Sequence, residues 1–216
     1  MDRATAEVAL HGFSREQCGS APSGKPSDFF GLALTDQLDL IERGALRLKE
    51  VFGDRISGFV PPWNGFGAVT LDALEKLHFR YLSGGWEVPL AYHGDVAILP
   101  RTYGLRTLEI AAKEARRARR LSPLIIAVMH HYDFAESGSE EATIDLSAFD
   151  RLLGWLMEQP DLSVSPLRNV VAELTGPECH RALKRHRLRS ALHWRLQKYV
   201  PQHSLSTAPL WRLLVP

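Results

Sequence analysis

Two hydrophobic periods alternate along this chain. Short apolar runs read as strands, and between them lie longer segments in which apolar positions recur every three or four residues, as on one face of a helix. In chain order the pattern predicts a strand at Glu7–Leu10, a loop rich in Gly, Ser and Pro over Ser14–Phe30, and a helix over Thr35–Phe52 closed by Gly53. A short strand of Ile56, Phe59 and Val60 follows, then a helix carrying Val69, Leu71, Leu74 and Leu77, and strands at Phe79–Leu82 and Val96–Leu99. The second half predicts a helix over Leu105–Arg120 with a basic last turn, a buried strand at Leu124–His130 and a helix over Ile144–Met157. A weak strand at Leu162–Val164 and a short helix at Leu167–Leu174 complete the pattern. Such alternation of strands and helices predicts an α/β protein with a mostly parallel sheet or a barrel.

In a parallel sheet, the residues just after each strand share one end of the fold, and ligands bind at that end. The segment ISGFVPPWNGFGAVTLDALEKLHFRYLS, residues 56–83, reads as strand, stiff loop, helix and strand. Pro61 and Pro62 fix φ and remove two backbone donors, so the ladder stops there. Trp63 then presents a flat face and Asn64 an amide. The first strand delivers His11 and the strand AVMHHYDF delivers His130, His131, Tyr132 and Asp133. Adjacent strand residues point to opposite faces, so one histidine of the pair faces the site. Asp133 either orients a histidine or caps a turn.

Composition narrows the class. With 216 residues, 45% hydrophobic and 24% charged, the chain buries a sizeable core in one domain with room for an appendage. No run approaches the length of a membrane span, and the N-terminus has no signal-like apolar stretch, so the chain reads as untargeted and cytoplasmic. Cys18 and Cys179 are far apart and outside any CxxC spacing, which indicates neither a disulfide framework nor a thiolate metal site. A dinucleotide fingerprint, a Walker loop, a G-x-S-x-G elbow and an HExxH helix are all missing.

The net charge of +1 hides an asymmetry: eight of the 26 basic residues, and none of the 25 acidic ones, follow Glu178. Arg181–Tyr199 reads as a helix with Leu183, Leu188, Leu192 and Leu196 near one stripe. It suits an anionic membrane surface or nucleic acid, or packs its leucines on the rest of the protein with its arginines in solvent. The last is the preferred reading, and a nucleic-acid partner is not expected.

Four pieces, ALHGF, FVPPWN, LHFRYLS and VMHHYDF, together resemble the polysaccharide deacetylase superfamily, most closely its uncharacterised DUF2334 branch, over residues 7–174. The resemblance implies a distorted (β/α)7 barrel that removes acetyl groups from N-acetylated sugars. It also implies a divalent metal, zinc, held by one Asp and two His, with a second Asp as base and a late His as acid. Imidazole and carboxylate suit this chemistry because they hold the ion while leaving room for a water, whose pKa the metal lowers.

Carried onto this chain, His11 is the first metal histidine of an H-x-x-x-H motif, whose second position holds Arg15, which does not ligate metal. His130 is the late acid, within Val128-Met129-His130. Trp63 is the aromatic wall of the groove. The Asp-Asp motif falls before residue 1, and Val60 stands where many members carry an arginine.

The expectation is therefore a partial, N-terminally truncated barrel over residues 1–178 with weakened metal binding, and a basic helical tail over 179–216. Two readings of function stand. One is an impaired metal-dependent deacetylase. The other is a non-catalytic carbohydrate-binding relative in which Trp63 stacks on a sugar, His11, Asn64 and Asp133 supply hydrogen bonds, and Arg15 holds an anionic substituent. Expected partners are a carbohydrate or other acylated small molecule and a second copy at the open barrel edge, with a membrane surface as the alternative reading of the tail.

Overall fold

The computed structural model describes residues 6–13, 19–20, 26–53, 56–85, 91–100, 103–117 and 124–174. The basic tail, Arg15 and both cysteines lie outside these residues. The described residues divide into two compact units, one of residues 6–100 together with 165–174, the other of residues 103–164.

The first unit is built on a four-stranded sheet. β1 (Gly19–Ser20) and β2 (Pro26–Ser27) form a small antiparallel hairpin inside the segment expected to be loop. α1 (Leu34–Phe52) follows, with Gln37, Ile41 and Gly44 on its buried face. Gly53 ends it at φ 75°, donating its N–H to Lys49 O. Glycine adopts that left-handed turn without a Cβ penalty. β3 (Gly58–Phe59), α2 (Ala68–Lys76) and β4 (Tyr81–Gly84) form a strand, helix and strand unit with the two strands parallel. β5 (Ala91–His93) and β6 (Val96–Pro100) form a hairpin around Gly94 and Asp95.

Strand order is β3, β4, β6, β5, with the first three parallel and β5 antiparallel at the edge. On the other edge the expected first strand contracts to a single parallel bridge between Leu10 and Phe59. Leu10 N donates to Gly58 O and Val60 N to Leu10 O, each at 2.8 Å. Parallel order is as expected; among the described residues the sheet does not close.

Period-two alternation assigns the faces. Leu10, Phe59, Leu82 and Ile98 join Ile41, Ala73, Leu74 and Phe79 in the main core, beneath α1 and α2. Phe29 and Phe79 meet the Phe59 ring edge-on at 5.3 and 6.4 Å. α1 comes close to the sheet edge because Gly44 has no Cβ: Leu10 Cδ1 lies 2.7 Å from where one would stand.

The opposite face carries Gly58 and Tyr81, with α5 (Leu167–Leu174) packed against β4 and Val171 fully buried. Glu7 Oε2 accepts the Arg168 N–H at 2.9 Å, so a carboxylate holds the first turn of this helix, where the peptide dipoles favour negative charge. Burial, then the Glu7 charge and hydrogen bond, push the Tyr81 hydroxyl pKa well above its usual value. The folded protein thus favours neutral tyrosine, and its stabilisation is lost as pH rises beyond about 10, where tyrosine ionises in the unfolded chain. Alkaline unfolding followed by circular dichroism should begin at higher pH in Tyr81→Phe than in the parent. Glu7→Ala should cost about 1–3 kcal/mol and speed amide exchange at Arg168 first.

In the second unit, β7 (Tyr103–Gly104) pairs in parallel with β8 (Ala127–Val128), and α3 (Leu108–Arg117) and α4 (Leu146–Met157) follow them in chain order. The strand expected as buried over Leu124–His130 is therefore two residues long, with Ala127 and Met129 exposed. β7 is its one ladder partner among the described residues. No strand forms at Leu162–Val164; Pro160 and Pro166 flank it and Val164 is exposed. Asp145 caps α4 by accepting the Ala148 N–H at 2.6 Å. Arg116 grips Asp161 with two hydrogen bonds of 2.8 Å, which holds the Asp161 carboxyl below its usual range. Among the described residues no helix is long and apolar enough to cross a membrane.

Candidate functional site

The carboxyl ends of the Leu10 segment and β3 bring two turns together. His11 follows the bridge residue, and its Nδ1–H donates to Val60 O at 2.8 Å. That bond fixes the tautomer and leaves Nε2 as an acceptor or ligand. It also gives Val60 a role through its backbone, which any residue at that position can fill.

After Val60 the chain makes a tight 3-10 turn over Pro62–Asn64. Pro61 and Pro62 are buried, whereas Trp63 is 60% exposed. Trp63 and Asn64 both have φ 56°. Two successive non-glycine residues in the left-handed region are uncommon, and for a bulky side chain the conformation is strained. Asn64 N to Pro61 O at 3.0 Å and Gly65 N to Pro62 O at 2.9 Å hold the turn. The result is an indole held out into solvent by a stiff frame.

A third segment braces this frame. Ser27 Oγ accepts the N–H groups of Phe29 and Phe30 and donates to Gly65 O. Gln37, buried on α1, donates its amide to Phe29 O and Leu32 O. Between them sits Asp28, buried, with Oδ2 3.5 Å from where a Gly12 Cβ would stand. Phe13 is exposed, and the Arg43 guanidinium lies over its ring at 4.5 Å.

His11, Trp63 and Asn64 thus lie on neighbouring turns of the first unit. His130 and Asp133 belong to the second, where they lie on one 3-10 turn. Asp133 Oδ2 accepts the His130 backbone N–H at 2.6 Å and stands 3.6 Å from His130 Nδ1. The carboxylate caps the turn more closely than it engages the imidazole. The His130 ring stacks on Tyr132 at 4.6 Å. Arg15 lies outside the described residues.

The sequence pattern did not single out Asp28, whose burial follows from the Ser27 and Gln37 anchors. Another omission is the pair of His93 Nε2 and Asp72 Oδ1 at 2.7 Å, which joins the β5–β6 hairpin to α2. The Gly94-Asp95 dipeptide between two apolar runs is the hairpin signal that would have located it.

No family model matches the chain, and no curated protein matches it. A solved structure does, the crystal structure of a protein named as a "putative polysaccharide deacetylase from Mycobacterium smegmatis". The likeness has a TM-score of 0.53 at 15% identity and covers 77% of this chain and 62% of that one. The fold is deacetylase-like. At this identity the likeness concerns the fold alone. This chain spans less than two thirds of its deacetylase-like neighbour.

Proposed function

We propose that this chain is a polysaccharide deacetylase-like protein that binds an N-acetylated sugar on its His11–Trp63–Asn64 surface and hydrolyses the acetyl amide weakly or not at all. The observation that carries this reading is the strained, exposed Trp63 beside an oriented His11, at the strand ends of a deacetylase-like fold. A flat exposed indole suits the apolar face of a pyranose ring, and the Asn64 amide and His11 Nε2 suit its hydroxyl and amide groups. In this reading the open sheet is part of a distorted (β/α)7 barrel. His130 and Asp133 enter it only through the sequence resemblance.

Among the described residues the donor set does not fit a catalytic divalent metal. Three protein ligands and one open position are usual for catalytic zinc. Among the described residues no group of three His, Cys, Asp or Glu side chains is arranged to hold an ion. His11 alone offers a weak site.

Calorimetry with N-acetylglucosamine oligomers, metal analysis after dialysis and acetate release together test the proposal. Expected are measurable oligomer binding, loss of zinc on dialysis and little acetate. Arg15→His should improve zinc affinity without restoring turnover, because a general base typically contributes about a hundredfold to ten-thousandfold. Tightly held stoichiometric zinc with robust turnover would show the motif transfer to be wrong. Absence of oligomer binding would overturn the carbohydrate reading.

A further inference from the structure

Gly12 lies between two close approaches. Pro62 Cγ is 2.7 Å from where a Gly12 Cβ would stand, and the Gly12 carbonyl oxygen is 3.6 Å from where a Cβ of Gly44 on α1 would stand. Each approach brings a side chain one residue further along to the same place: Trp63 follows Pro62, Phe13 follows Gly12, and Arg43 precedes Gly44. Phe13 and Trp63 therefore sit on abutting turns, their Cα atoms no more than about 14 Å apart along the path through the Gly12–Pro62 contact. The Phe13 ring is 41% exposed although the Arg43 guanidinium covers it at 4.5 Å from the centroid. Asp39, one turn earlier on α1, accepts a hydrogen bond from the same guanidinium at 3.0 Å. A cation over an aromatic face is attracted to it, so Arg43 braces the ring from one side and leaves it open elsewhere. A single exposed apolar side chain is ordinary. Two exposed aromatic rings on abutting turns, one on a strained backbone and the other braced by a cation, make a pair of platforms.

We propose that Phe13, backed by Arg43, is a second stacking platform beside Trp63, so that this surface takes a chain of N-acetylated sugars rather than a single one. Each ring that a sugar covers removes apolar area from water on both partners, so the two contributions combine when one chain spans both. The role rests on the carbohydrate reading above and adds to it a preference for chain length.

NMR titration of the full chain with N-acetylglucosamine and with its oligomers of increasing length tests this. In the parent, affinity should rise about tenfold from the monosaccharide to an oligomer that spans both rings. Phe13→Leu should remove that gain and leave the monosaccharide affinity unchanged, whereas Phe13→Tyr, which keeps the ring, should preserve it. Arg43→Gln leaves the ring without its cation and should lower oligomer affinity by less than Phe13→Leu does. It carries the test if the leucine variant does not fold.

A folded Phe13→Leu chain that keeps the oligomer affinity of the parent would overturn the second platform. So would a loss shared equally by monosaccharide and oligomers, because Phe13 would then act through the Trp63 turn. Equal affinity of the parent for the monosaccharide and its oligomers would overturn the platform and leave the carbohydrate reading in place. Absence of any binding by the parent would remove that reading and the platform with it.

Discussion

Gly58→Ala is expected to be the most destabilising single-methyl change in the sheet. Gly58 and Tyr81 are directly paired across β3 and β4, and the Tyr81 ring and hydroxyl occupy the space a Gly58 Cβ would need. The ring is 2% exposed, between the sheet and the Glu7–α5 anchor, so it has no free space to swing into. Overpacking costs about 1–3 kcal/mol, and displacing the hydroxyl from Glu7 adds about 1–3 kcal/mol. A fall of about 10 °C in the unfolding midpoint corresponds to the middle of that range for a chain of this size. The mechanism has its own check in a double-mutant cycle. With Tyr81→Leu already present, the added methyl should cost less than about 1 kcal/mol, because the clashing atoms are gone. Simple additivity of the two changes would mean that the Tyr81 ring is not the obstacle.

The second large effect concerns binding. Trp63→Gly should lower affinity for N-acetylglucosamine oligomers about a hundredfold, since tryptophan anchors commonly contribute more than about 2 kcal/mol. Stability should stay within about 1 kcal/mol of the parent, because glycine relieves the left-handed strain at φ 56° and so offsets the packing lost with the indole. Trp63→Ala should bind as poorly and be less stable than the glycine variant, since alanine inherits the strain. Calorimetric titration and thermal unfolding of both variants read the two effects separately. Undiminished affinity in either would remove Trp63 from the site and with it the main support for the carbohydrate reading.

If both results hold, the sheet face under α5 governs stability and the strand ends govern binding. That division is common in parallel α/β folds, where the strands form a rigid support and the turns after them present the chemistry. It also explains why Val60 needs no special side chain: its carbonyl orients His11.

The sequence by itself determined the α/β class with a mostly parallel sheet, the helix from Thr35 to Phe52 with its Gly53 stop, the helix after the Trp63 turn, and the prominence of that turn. Each of these is a local signal: a hydrophobic period, a glycine in the left-handed region, two prolines that end a ladder. What the tertiary structure decided were features that depend on partners remote in the chain. Leu124–His130 is as apolar as a buried strand, but a strand's length depends on neighbours, and β7 supplies two residues of ladder. The hairpin strand at Ala91–His93 exists because Val96–Leu99 gives it an edge to pair with. Asp28 reads as one polar residue in a loop until Ser27 and Gln37 fold that loop beneath Gly12 and Pro62. Trp63 was conspicuous from its position, but only the fold put its backbone at positive φ, because the Pro61–Gly65 turn closes on itself through bonds that no periodicity encodes. Local patterns fix which elements form, and long-range packing fixes where they stop and which side chains they bring together.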